Sequence, residues 1–315
     1  MAKSSGLGDN FYAGGYDLSG DVASIDKLSG PLNLLEATGI KQLAEARIPG
    51  QRDGMMQFSS YFENTGTTNT PSMPASGTPQ VSTYNWPVFV TITGGTISNV
   101  TINGSTVGTT AGTYVLPALG TITITYSVAP TWAWTGVLTE HNALSTLPRT
   151  DVVGSYFRGA AVGAPACCCI GKQLNYDPTR DNVGNLTLSV TIQANAYGVE
   201  WGIQLTPGLR ADTTATVGSF YDNGAAFNFG AQAYVNLVAL VGTSVDISIT
   251  HATTSGGSYT TLMDFGSFTG VGSARQSVSN TTTVNEFLKV VTTGTFTYAQ
   301  FAVMINVNKA AGQVF

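Results

Sequence analysis

Apolar and polar residues alternate with a period of two through most of this chain, the signature of strands with one face buried. Met55–Phe62 sets Met56, Phe58, Ser60 and Phe62 on one face, and Leu186–Asn195 alternates Leu186, Leu188, Val190 and Ile192 with Thr and Ser. Further strands are predicted over Val88–Thr93, Ile97–Asn103, Thr121–Val128, Val152–Arg158, Ala166–Leu174 and Tyr197–Gly202. Beyond them come Gly230–Val241, Ser244–Thr250, Tyr259–Phe265, Glu286–Val291 and Ala299–Val307. Asn103-Gly104 and Gly94-Gly95 occupy hairpin positions, and Asn-Gly favours the type I′ turn that suits twisted strands. Val241-Gly242-Thr243, Ser255-Gly256-Gly257-Ser258 and Thr293-Gly294 are predicted as turns at sandwich-like spacing. Only two stretches suggest helix: Ile40–Arg47, with good helix formers, and Glu140–Leu147, closed by Pro148. The fold class expected is therefore mainly β, with one or two short helices.

Charge changes this picture from uniform to modular. The chain has 315 residues, of which 10% are charged, and a net charge of −5. Between Glu63 and Glu140 there is no Asp, Glu, Lys, Arg or His at all. That break predicts three units: a discontinuous domain over 1–63 and 140–208, a charge-free β insert with its linkers over 64–139, and a β-sandwich over 209–315. Residues 64–84, rich in Thr, Asn, Ser, Pro and Gly, have linker composition. The opening 1–30, rich in Gly and Asp, suggests an arm and a first strand. Hydrophobic residues at 43% exclude a disordered chain, and the acidic balance excludes binding to nucleic acid through phosphate neutralisation. The longest apolar run, Ala233 to Val241, is too short to span a membrane and is broken by Asn236. The N-terminal residues lack the apolar core of a signal peptide, so Sec export is not expected and the glycosylation sequons carry no meaning.

Candidate chemistry is sparse. The two histidines, His141 and His251, accompany no Gly-x-Ser-x-Gly elbow. Cys167-Cys168-Cys169 on a strand point to alternate faces, so they cannot converge on one zinc; small buried thiols are expected. Asp177–Asn185 faintly resembles a calcium loop but lacks alternate-position carboxylates, and a turn between strands is preferred. No phosphate-binding glycine loop and no paired carboxylates are evident. An enzyme is not expected, and neither is a metal or cofactor.

Several segments, in this order, resemble the major tail (tail tube) proteins of long-tailed bacteriophages, those of actinobacterial hosts in particular. They are Tyr16-Asp17-Leu18-Ser19-Gly20-Asp21-Val22, Glu36-Ala37-Thr38-Gly39-Ile40, and Arg52-Asp53-Gly54 leading into Phe58-Ser59-Ser60-Tyr61-Phe62. After the charge-free stretch come His141-Asn142-Ala143-Leu144-Ser145-Thr146-Leu147-Pro148, Asn175–Arg180 and Ala196–Gly202. The resemblance covers most of 10–63 and 140–210; the insert departs from it. It implies a tail-tube-type β-sandwich or barrel, with 85–134 like a small Ig-like domain and 212–308 like an appended β-sandwich. It also implies a virion protein, assembled in the host cytoplasm, that forms stacked hexameric rings in a non-contractile tail. Its partners would be its own copies, a tape-measure protein and tail completion or terminator proteins, with DNA passing through a mildly acidic lumen unbound and no membrane involved. Low charge and abundant Gly, Thr and Ser equally describe a capsid decoration or receptor-binding protein. Its glycan contacts would then be sought at Trp86, Trp132, Trp134 and Tyr259, for which core packing is the other reading.

Overall fold

The structure is a computed structural model that describes residues 8–20, 22–38, 45–61, 70–82, 88–117, 120–136 and 144–311. The first strands are β1 (Asn10–Ala13), β2 (Tyr16–Asp17), β3 (Val22–Ser29), β4 (Leu32–Glu36), β5 (Arg47–Arg52) and β6 (Met55–Tyr61). The charge-free region contributes β7 (Pro79–Val81), β8 (Val88–Thr93), β9 (Thr96–Ile102), β10 (Ser105–Gly108), β11 (Gly112–Leu116), β12 (Thr121–Val128) and β13 (Thr131–Gly136). Then come β14 (Val152–Phe157), β15 (Pro165–Gln173), β16 (Asp177–Arg180), β17 (Leu186–Ala194), β18 (Glu200–Gln204), β19 (Arg210–Asp212) and β20 (Tyr221–Asp222). Last are β21 (Ala231–Ala252), β22 (Thr260–Phe268), β23 (Gly272–Val278) and β24 (Phe287–Val307).

The mainly-β expectation holds. A curled half-barrel runs from β3 through β6, β17, β15 and β14 to the β1–β2 hairpin, all antiparallel. Its concave face encloses Phe11, Leu18, Met56, Phe58, Val190 and Ile192. As the alternation predicts, Met56, Phe58 and Ser60 are buried while their neighbours are not.

Strands on either side of residue 208 belong to the same sheet. β18 pairs with β15 on one edge and with β24 on the other, Gln204 opposite Met304. β21 and β24 pair from Ala231↔Val307 to Ala252↔Phe287 and form the spine of the C-terminal half. The first half of β21 is covered on both faces, which explains its apolar run. Ala233, Val235 and Leu237 enter the C-terminal core, whereas Tyr234 meets Tyr12, Val153 and Phe157 on the other side.

Two predicted turns are bends inside this spine. Gly242 (φ 146) and Gly294 (φ 114) interrupt the ladder without ending it, and the register slips around Gly242. A Cβ on Gly242 would lie 2.4 Å from the Cα of Phe296, and one on Gly294 would lie 2.6 Å from the carbonyl oxygen of Ser244. Close backbone approach therefore demands glycine at both, and the two long strands turn one corner together. Gly94-Gly95 is corrected likewise: β8 and β9 lie in different sheets, so the pair connects layers and is no hairpin. At Asn103-Gly104 the φ values of 51 and 83 are those of the predicted type I′ hairpin joining β9 and β10.

Among the described residues the charge-free strands pair only with one another, β10-β9-β12-β7 against β11-β8-β13, around Val90, Ile92, Val100, Ile122, Ile124 and Trp134. Their outer face replaces ion pairs with hydroxyl pairs: Thr91 faces Thr113 at 3.1 Å and Thr93 faces Thr131 at 2.8 Å. Part of the predicted linker joins in as β7, with the Ser76 hydroxyl donating to the carbonyl of Tyr126.

Of the predicted helix over Ile40–Arg47, residues 40–44 lie outside the described residues. Glu45 and Ala46 are irregular, and Arg47 opens a strand, because cross-strand pairing with β4 overrides local helix preference. Of Glu140–Leu147, only Leu144 onward is described: Leu144 is helical and a turn follows. No helix among the described residues is long and apolar enough to cross a membrane.

Candidate functional site

The three cysteines are free and buried, and they alternate as strand geometry requires. Cys167 and Cys169 face the half-barrel core, while Cys168 faces the layer shared with Tyr234. Cys168 Sγ donates to Ser155 Oγ at 3.1 Å, and Asn236 Nδ2 donates to the same oxygen at 2.8 Å. Burial pushes all three thiols up, Cys169 to about 12, so none is an available nucleophile.

His141 lies outside the described residues. His251 is half-buried, its Nδ1 accepts the backbone N–H of Asn285 at 3.1 Å, and burial lowers its pKa, which favours neutral imidazole. The Asp177–Asn185 segment is a hairpin between β16 and β17. Asp181 Oδ1 accepts the N–H groups of Val183 at 3.0 Å and Asn185 at 2.8 Å, so the carboxylate organises its own turn. Among the described residues no group of three His, Cys, Asp or Glu side chains is placed to hold a metal ion.

The aromatic candidates separate. Trp132 and Trp134 meet edge to face with centroids 5.3 Å apart. Trp134 is buried in the core of the charge-free sandwich, and Trp132 packs against it while its Nε1 donates to the Pro71 carbonyl at 2.8 Å. Tyr259 lies in the C-terminal half, where the Lys289 ammonium sits 3.8 Å from its ring centroid. Trp86 lies outside the described residues.

What the alternation pattern missed is a surface. β4 and β5 form a two-stranded ribbon that pairs with no other strand among the described residues. Leu32, Leu34, Leu35 and Ile48 on it are 46%, 59%, 55% and 52% exposed. Leu35 and Ile48 are cross-strand partners on one face; Leu34 points to the other. Such a ribbon is marginal alone in water, and apolar side chains on both faces leave both in need of cover. The signal available in the sequence was the cluster Leu32-Asn33-Leu34-Leu35, hidden by the helix formers that follow.

No protein-family model and no curated protein sequence matches this chain. Among solved structures it is similar to the crystal structure of the Dit protein (gp 19.1) of phage SPP1, titled a paradigm of the hub adsorption apparatus in phages infecting Gram-positive bacteria. The alignment covers 95% of this chain and 99% of that one, at 8% identity and a TM-score of 0.30. That likeness is too distant to carry any conclusion about function.

Proposed function

We propose that this chain is a structural protein of a phage tail that works by self-assembly, as the subunit of stacked hexameric rings forming the tail tube. The observation that carries the reading is the β4–β5 ribbon. Four large aliphatic side chains held in water on both faces of a two-stranded sheet are stable only when another surface covers them. The occupant is a second copy: repetition of one heterologous contact around an axis closes a ring, and repetition along it builds a tube. The ordered resemblance of 10–63 and 140–210 to tail tube proteins supports the same reading. In it the charge-free sandwich decorates the outside, the tape-measure protein fills the bore before DNA, and terminator proteins cap the end.

Light scattering and negative-stain microscopy of the purified chain test the proposal. Rings or tubes are expected. Leu34→Asp with Ile48→Asp is expected to give monomers with an unchanged far-UV spectrum. A wild-type chain that stays monomeric at high concentration, or a double variant that still assembles, overturns it.

A further inference from the structure

We propose that the cavity between the β5–β6 turn and the start of β18 is a saccharide-binding site, with Trp201 as its apolar platform and Arg52, Asp53 and Asn306 as its hydrogen-bonding rim. The cavity has a volume of ≈ 330 Å³, which suits one or two sugar rings.

Strand geometry places the platform. Glu200 opens β18 and is buried, so Trp201 turns the other way and is 49% exposed at the cavity. An indole left open to water beside a cavity offers the flat face on which the C–H groups of a sugar ring stack. Walls of the cavity are set by backbone contact. A Cβ on Gly54 would lie 2.7 Å from the amide nitrogen of Val199, so the β5–β6 turn is seated directly against the chain entering β18. Glu200, held by Arg275 and Tyr234 below, fixes the base of the strand.

The rim explains the choice of ligand. The side chains of Arg52, Asn306 and Trp201 make no hydrogen bond or ion pair among the described residues, although all three border the cavity. Asp53 Oδ1 accepts the N–H of Gly54 at 2.7 Å and an amide N–H of Gln193, which leaves Oδ2 free. The unused groups are thus donors (guanidinium, indole N–H), an acceptor (carboxylate) and an amide that is both. Vicinal hydroxyls, each donor and acceptor, match that mixture. A phosphate would find Arg52 but also face the carboxylate of Asp53. None of the aromatics suggested by the sequence borders this cavity among the described residues; the aromatic that does is Trp201.

Saturation-transfer NMR and titration calorimetry of the full chain, against a panel of neutral hexoses, pentoses and their disaccharides, test the site. Inorganic phosphate and a nucleoside serve as separate arms. Saturable millimolar binding of at least one sugar is expected, weakened roughly tenfold or more by Trp201→Ala or Asn306→Ala. Trp132→Phe should leave it unchanged, and circular dichroism checks that each variant is folded. The proposal is overturned if no sugar saturates, if binding survives Trp201→Ala, or if only phosphate or the nucleoside binds. Ring assembly is scored on the same samples, so loss of one property is distinguishable from loss of the other.

Discussion

Arg275 grips Glu200 with two nitrogens, Nε to Oε2 at 3.0 Å and Nη2 to Oε1 at 3.1 Å, across 75 residues of sequence. Both side chains are almost wholly buried. The Tyr234 hydroxyl donates to the same carboxylate, and the Arg275 guanidinium stacks 3.6 Å from the ring centroid of Tyr197. β18 and β23, which carry the pair, are not neighbours in the sheet; Tyr234 on β21 lies between them.

A buried charge stripped of its partner is costly, whereas removing both is tolerated better. Arg275→Ala is therefore expected to lower unfolding stability by about 3–5 kcal/mol. Glu200→Gln combined with Arg275→Met should lose less than the single variant. Urea titration gives both numbers, and an Arg275→Ala loss below ~1 kcal/mol would remove the pair's assigned role.

The cysteines make a prediction about alkali. Burial raises Cys169 from the ordinary 9.0 to about 12 and raises Cys167 and Cys168 as well. Above pH 9 the unfolded chain releases these protons while the folded chain keeps them, so the unfolded state binds fewer protons and stability falls as pH rises. The slope is up to about 1.4 kcal/mol per pH unit for each thiol, through the window from pH 9 to about 12 for Cys169. Tyr298, which burial also raises to about 12, adds to the loss from pH 10 upward. Thermal melts at pH 8 and 10.5 check the sign. A thiol reagent should modify none of the three cysteines in the native protein and all of them in denaturant; reaction without unfolding would contradict their burial.

How much of this was legible depends on how local the cause is. Half-buried strands such as β6 and β17 announce themselves, since one buried face imposes alternation residue by residue. The Asn103-Gly104 turn is equally local, and so is the division of Cys167 and Cys169 from Cys168. Gly242 and Gly294 carry the same local signal as a turn, but their partner strands continue past them, and ladder pairing is not written in the neighbouring residues. The β4–β5 ribbon was hidden for the opposite reason: its local composition favours helix, and pairing at long range decides otherwise. Trp201 could not be singled out, because its exposure follows from where β18 ends up in the sheet.

The shared corner of the spine yields a sharper test of packing. Replacing Gly242 or Gly294 by Ala forces a side chain into backbone atoms at φ values that L-residues avoid. Each is expected to cost more than about 2 kcal/mol. Gly224 is the control: its φ is 78 but a Cβ there meets nothing within 4 Å, so Gly224→Ala should cost only about 1–2 kcal/mol. Equal losses at Gly224 and Gly242 would mean that conformation alone, and not the close approach of β24, requires glycine in the spine.

The charge-free sandwich should be separable from the rest. Among the described residues its strands pair only with one another, and its core draws on residues between Met73 and Trp134. The remaining strands, the β4–β5 ribbon apart, already form a continuous sheet with their own cores, from Phe11 in the half-barrel to Val303 in the C-terminal half. Replacing residues 64–139 by a short Gly-Ser linker is thus expected to leave a folded chain with cooperative melting. If the sandwich is external decoration, rings or tubes should still form, thinner at the periphery in negative stain. The excised segment, expressed alone, should give a small β-rich domain: two sheets around Val90, Ile122 and Trp134 meet the minimum for independent stability. Collapse of the deletion variant would show that the two cores depend on each other, and a folded variant that no longer assembles would move the ring contacts onto the insert.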